Sequence, residues 1–104
     1  MAKERILVVD DEPDIRDVLR LTLEAEGYEV HEAADGEEAV RMVRQVNPHL
    51  LLLDYKLPRM EGPQVCRVLK RDLLLQNLPI IMLTSPGRPP TRWRGSTPAR
   101  TTTW

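Results

Sequence analysis

Residues 47–62 read NPHLLLLDYKLPRMEG. Leu50 to Leu53 form a continuous apolar run. Such a run, bounded by turn-forming residues, predicts a short strand buried on both faces. Pro48 limits it on one side. On the other it stops at Asp54, and Pro58 and Gly62 follow in a loop. A carboxylate at the C-terminal end of a buried parallel strand stands where open α/β sheets bind their ligands. Alone, Asp54 reads equally well as a loop residue or a helix cap. A second acidic cluster in the same setting shifts that balance.

The second cluster lies near the start. Lys3 to Val9, KERILVV, ends in an aliphatic run and predicts a buried strand, and Asp10, Asp11 and Glu12 follow at once. Pro13 suits the first turn of a helix, and acids there suit the helix dipole. Ile15, Val18, Leu19 and Leu23 recur at helical spacing, with Arg16, Asp17, Arg20 and Glu24 on the opposite face; Gly27 ends the helix. Tyr28 to Ala33 alternates as a strand does. Asp35 with Glu38 predicts a capping box, and Ala39, Val40, Val43 and Val46 form the stripe of a second helix that stops before Pro48. After Asp54, Pro63 opens a third helix with Val65, Cys66, Val68, Leu69 and Leu73 facing inward. Ile80 to Leu83 is a last short strand, ending at Thr84.

Strands alternating with amphipathic helices predict a parallel sheet flanked by helices on both faces. Three strands end in oxygen-bearing side chains: Asp10 and Asp11, then Asp54, then Thr84 and Ser85. In a parallel sheet these ends share one edge. If the first, third and fourth strands are neighbours, the groups converge. Gathered carboxylates repel unless something neutralises them. An all-oxygen donor set points to a hard divalent cation, Mg2+ or Mn2+. Aspartate is also a covalent nucleophile in phosphoryl transfer, and a hydroxyl such as that of Thr84 can hydrogen-bond a phosphoryl oxygen. The residues themselves therefore read as a metal-assisted phosphorylation site.

Composition is compatible with this. The 104 residues predict one domain at most, and with 41 % hydrophobic residues and no Phe its core is aliphatic. The net charge of −1 gives no support for nucleic-acid binding by bulk charge. The average hides a break. Residues before Ser85 hold all 16 acids and 11 basic residues, a net −5, whereas 85–104 hold four Arg and no acid. The lone Cys66 allows no internal disulfide, no stretch reaches membrane-spanning length, and Ile6 to Val9 is too short for a signal peptide, so a cytoplasmic protein is expected. His31 and His49 lack partners at ligand spacing. Cys66 reads as a buried small hydrophobe, and Met42, Met60 and Met82 read as packing or loop residues.

Residues 5–84 resemble the receiver domain of bacterial two-component response regulators. The likeness rests on RILVVDDEPDIRDVL, on GYEV followed by EA and DGEEA, on LLLLDYKLPRMEG and on LPIIMLT, in that order and separation. It implies a flavodoxin-like doubly wound sheet of order 2-1-3-4, with Asp54 as phospho-acceptor. It also implies a Mg2+ site formed by Asp10, Asp11, Asp54 and the backbone carbonyl of Lys56. Thr84 would be the switch hydroxyl, and a sensor histidine kinase the phosphoryl donor. The expected domain is 1–84.

The family pattern continues with a further helix, a fifth strand ending in a Lys-Pro pair and a last helix. SPGRPPTRWRGSTPARTTTW, at 85–104, offers no apolar periodicity and no Lys. Its composition predicts a disordered or non-native tail. Read one nucleotide earlier, codons compatible with 93–104 spell a segment similar to the family stretch before the fifth strand, so a frame shift near Ser85 is expected. A receiver cut off there would expose a sheet edge, self-associate and signal poorly. Two other functions compete with a phosphorelay module. An aspartyl-nucleophile phosphatase of the haloacid dehalogenase type would carry a second Asp two residues after the nucleophile, where this chain has Lys56. The other alternative is a protein-interaction remnant that no longer takes phosphate.

Overall fold

β1 (Arg5–Val9), α1 (Pro13–Ala25), β2 (Glu29–Ala33), α2 (Gly36–Val46), β3 (Leu50–Asp54), α3 (Gly62–Lys70), a 3-10 turn (Leu73–Leu75) and β4 (Ile80–Leu83) follow one another in the computed structural model, which describes residues 3–83. The strands form one parallel sheet in the order β2-β1-β3-β4. This is the expected flavodoxin-like order. Thr84, Ser85 and the 85–104 segment lie outside the described residues.

The sheet separates two apolar layers because neighbouring strand residues point to opposite faces. Leu7, Val9, Leu51, Leu53, Ile80 and Met82 face α2 and α3 and are buried against Ala39, Val43, Val65, Cys66 and Leu69. Ile6, Val8 and Leu52 face the other way, where Leu19 and Leu23 of α1 join Tyr28, Val30, Ile81 and Leu83. Each fully buried leucine contributes on the order of 1.5–3 kcal/mol. The LLLL run therefore supplies both layers, as its unbroken apolar character predicts.

The helix boundaries follow from local chemistry. Pro13 stands at the start of α1, and Gly27, at a φ of +95°, reverses the chain after it. The Asp35 side chain accepts a hydrogen bond from the Glu38 N–H at 2.8 Å. The Glu38 carboxylate reaches back to the Ala34 N–H at 2.7 Å, one residue before the cap itself. Asn47, left-handed at φ 52°, closes α2 ahead of Pro48.

Two expectations need correction. Helical spacing predicts burial of Ile15 and Val18, yet they are 41 % and 61 % exposed. α1 lies over β1 and β2, so only its Leu19 and Leu23 reach the layer beneath. Leu73, predicted to face inward from the third helix, is 80 % exposed. α3 ends at Lys70, and Asp72 caps a new turn by accepting the Leu74 N–H at 2.9 Å.

Lys70 explains that early stop. It is only 6 % exposed, and its Nζ donates to the carbonyls of Leu75, Gln76 and Leu78 at 3.3, 2.9 and 2.6 Å. Burial pulls its pKa below the usual lysine range. The ammonium thus folds the connection to β4 around itself. Lys70→Met keeps much of the side-chain volume and removes all three donors. Hydrogen bonds to a charged group contribute about 1.5–3 kcal/mol each, but the carbonyls regain water in part, so a net loss of ~2 kcal/mol is expected. A thermal melt of the variant beside the wild type measures it.

Candidate functional site

β1 and β3 are adjacent and in register, with Val9 opposite Leu53, so the residues that follow them emerge side by side. Asp10, Asp11 and Asp54 each place a carboxylate oxygen within 4.8 Å of the others. The predicted convergence of the two acidic clusters is what the fold produces. The three differ in setting: Asp10 is buried, Asp54 half-buried and Asp11 exposed.

Asp10 is fixed by its own chain. Its N–H donates to the Ala33 carbonyl at 3.1 Å, and its Oδ1 accepts the Glu12 N–H at 2.9 Å. Burial raises its pKa above the usual carboxylate range, and the charge of Asp11 adds to the rise. Asp54 moves further, to about 6: burial is the main cause and the charge of Asp10 the next. The backbone amides of Lys56 and Tyr55 oppose the shift by hydrogen-bonding the carboxylate.

These acids fit a hard divalent cation. They supply oxygen donors from two neighbouring strand ends, and their mutual repulsion is what a cation relieves. Lys56 follows Asp54 in the same loop, with an exposed side chain. Thr84 lies outside the described residues.

The loop from Tyr55 to Glu61 is held at both ends. The Gly62 N–H donates to the Tyr55 carbonyl at 2.9 Å. Arg59, left-handed at φ 70°, places its guanidinium 3.5 Å from Asp35 at the start of α2. Gly36 permits that approach: a Cβ there would lie 2.2 Å from the Met60 carbonyl oxygen. Of the remaining candidates, Cys66 is buried, which pushes its thiol up to about 12 and leaves it inert at neutral pH. His31 pairs with Glu29 at 2.6 Å, and His49 Nδ1 accepts the Arg5 N–H at 2.9 Å, so both are satisfied. Arg16, Lys70 and the contact between Gly36 and Met60 carry no signal in helical periodicity, which registers polarity and not reach.

Asp54 also sets a pH dependence. Its folded pKa of about 6 exceeds the ordinary carboxylate value of 3.8. The folded state therefore holds this proton more tightly than the unfolded chain. The stabilisation is fully present below the ordinary value and is lost as pH rises through about 6. Discounted for solvent screening, the loss is on the order of 1 kcal/mol. In metal-free buffer, Asp54→Asn should melt above the wild type at about pH 7.5, and the gap should close near pH 4. Mg2+ should narrow the gap at neutral pH by stabilising the wild type more than a variant that lacks one of the three carboxylates.

A parallel 2-1-3-4 sheet with three carboxylates at its carboxyl edge defines an acidic-pocket α/β domain. The sequence pattern of the response regulator receiver domain matches residues 6–96, and the chain belongs to that family. It is 45 % identical over 83 residues to the DNA-binding response regulator MtrA of Mycolicibacterium smegmatis, covering 80 % of this chain and 35 % of that protein. It is 45 % identical over 85 residues to a probable transcriptional regulator, ycf27, of Porphyridium aerugineum, covering 82 % of this chain and 34 % of that one. The chain thus spans about a third of the length of these curated relatives. Among solved structures, a putative response regulator from Chloroflexus aurantiacus superposes with a TM-score of 0.80 at 37 % identity, over 84 % of this chain and 71 % of that one. The Vibrio cholerae chemotaxis protein CheY4 gives 0.78 at 33 % identity, over 85 % and 73 %. The chain is a receiver domain of the two-component response regulator class, and among the described residues no helix is long and apolar enough to cross a membrane.

Proposed function

We propose that this chain accepts a phosphoryl group on Asp54 from the phosphohistidine of a sensor histidine kinase. Three carboxylates from two strand ends within 4.8 Å of one another carry this reading. An Asp54 oxygen forms the new O–P bond while the N–P bond of the phosphohistidine breaks, and the imidazole, protonated on its other ring nitrogen, leaves as the neutral ring with the electron pair. Only ionised Asp54 attacks, so the carboxylate must give up its proton first. Asp10, Asp11, Asp54 and the backbone carbonyl of Lys56 would hold Mg2+ or Mn2+, which would offset charge on the transferring group. Asp10 and Asp11 hold the acidic cradle, and Thr84 is assigned the hydroxyl that follows the phosphoryl group. On this reading the receiver unit is 1–84 and the basic segment at 85–104 lies outside it, although the family pattern runs on to residue 96, and the chain acts in the cytoplasm beside its kinase.

Lys56 stands where a second acid would serve turnover in an aspartyl phosphatase, so a lasting adduct is expected in place of steady hydrolysis. Treatment with acetyl phosphate and Mg2+ tests this. One phosphoryl group per chain, acid-stable and base-labile, supports the proposal. Steady phosphate release supports the phosphatase, and a folded chain that never reacts supports an interaction module.

A further inference from the structure

Arg16 belongs by helical spacing to the polar face of α1, yet its side chain is only 18 % exposed and points back toward the sheet edge. Its Nη1 donates to the Asp10 backbone carbonyl at 2.6 Å. Its Nε donates to Glu32 Oε1 on β2 at 3.1 Å. Glu32 is held in turn from the next turn of α1, where Arg20 Nε lies 3.3 Å from Oε2. One guanidinium therefore ties the first turn of α1 to the ends of two strands. We infer that Arg16 is a positioning residue for the carboxylate pair, fixing the peptide between Asp10 and Asp11 so that both side chains face Asp54.

The geometry supports this. Asp10 is already anchored through its N–H to Ala33 and through its side chain to the Glu12 N–H. Its carbonyl begins the short connection to α1 and lies beyond the strand ladder. The plane of that peptide sets the direction of the Asp11 Cα–Cβ bond. Asp11 is exposed, so burial does little to orient it. Arg16 is the side chain that holds that carbonyl. A guanidinium suits the task because its planar fork can serve a carbonyl and a carboxylate at once, which an ammonium does with poorer geometry.

Charge alone predicts the opposite outcome. A cation beside three carboxylates repels a second cation, so removing Arg16 would tighten metal binding if charge were its only influence. Removing a positioning group loosens the site. Residues that orient metal ligands typically change affinity by about 10–100-fold when replaced. The two roles thus differ in sign.

This inference rests on the proposed reading of the acids as a metal site, and Mn2+ alone is the probe. Free Mn2+ is counted by electron paramagnetic resonance during titration of the full chain, well below its melting midpoint. Arg16→Met is expected to weaken Mn2+ binding about tenfold, at the lower end of that range. Arg16→Lys keeps the charge and is expected to weaken it several-fold as well. Lys70→Met, destabilised far from the acids, is expected to bind Mn2+ as the wild type does while melting lower. Unchanged or tighter binding by Arg16→Met overturns the positioning role. So does wild-type affinity in Arg16→Lys, and this arm decides the matter if Arg16→Met fails to fold. A wild-type chain that binds no Mn2+ overturns the metal reading itself, and the inference with it.

Discussion

Asp54→Asn is expected to abolish the adduct formed with acetyl phosphate and Mg2+, a loss of at least ~10^3-fold in the rate of labelling, the scale on which removing a covalent nucleophile acts. The Asn amide is close in shape to the carboxylate but offers no nucleophilic oxygen at neutral pH. Asp54→Glu restores the carboxylate and displaces it by one methylene. A displacement of about 1 Å can cost ~10^2-fold, so Asp54→Glu should be nearly as inactive. Asp11→Asn should behave differently. It keeps the nucleophile and weakens the cation site, so its labelling should recover in part as Mg2+ is raised. Intact-mass measurement gives the stoichiometry and fragment masses give the position. An adduct on Asp10 or Asp11 in the Asp54→Asn chain would show that the acceptor was wrongly assigned. Unimpaired labelling of Asp54→Glu would show that geometry at the end of β3 matters less than the close grouping of the acids suggests.

The run of leucines ahead of Asp54 made the centre of the fold legible. Four consecutive apolar residues can be buried in a strand only if both faces of the sheet are covered, and β3 is flanked by β1 and β4 with an apolar layer on each side. Once strands alternate with helices, parallel pairing follows, and their carboxyl ends must share an edge. That is why Asp10 and Asp54, separated by 44 positions in the chain, could be placed together from sequence. What escaped depends on dimensions that periodicity does not carry. An apolar stripe on α1 says which way the helix turns, but not that β1 and β2 are the strands beneath it, which leaves Ile15 and Val18 exposed. Arg16 and Lys70 escaped for a different reason. Long cationic side chains are scored as surface because of their charge, while their stems let the head reach carbonyls several ångströms away. The contact between Gly36 and Met60 brings together segments 24 positions apart, and no local pattern in either announces it. Thr84, legible as the end of the last strand, lies outside the described residues.

Gly62→Ala should be the most damaging single-methyl change near the site. Gly62 opens α3 directly beneath the end of β3, and a Cβ there would lie 2.8 Å from the Asp54 carbonyl oxygen and 3.1 Å from the Tyr55 Cα. It would also lie 2.7 Å from the Met82 sulfur. The thioether can rotate away at little cost, but the backbone of Asp54 cannot, because the Tyr55 N–H is bonded to the Leu83 carbonyl at 2.8 Å. The strain must go into separating α3 from β3, which also strains the 2.9 Å hydrogen bond from the Gly62 N–H to the Tyr55 carbonyl. Overpacking of this kind costs about 1–3 kcal/mol, and the rigid backbone places this case near the upper end. For a domain of this size a loss of ~2–3 kcal/mol lowers the melting midpoint by on the order of 10 °C. Gly36→Ala provides the comparison. Its Cβ would meet the Met60 carbonyl at 2.2 Å, a harder clash on paper, but Met60 lies on a loop outside the strand ladder and not on the peptides next to the acceptor. Both variants should melt below the wild type. Only Gly62→Ala, which pulls on the Tyr55 carbonyl and so on the peptide whose Lys56 N–H holds the Asp54 carboxylate, should also slow labelling by ~10-fold or more at temperatures where the chain is folded, since small misplacements of a reacting group are costly. Equal labelling rates in the two variants would mean that the Asp54 carboxylate keeps its place in both and that Gly62 serves packing alone.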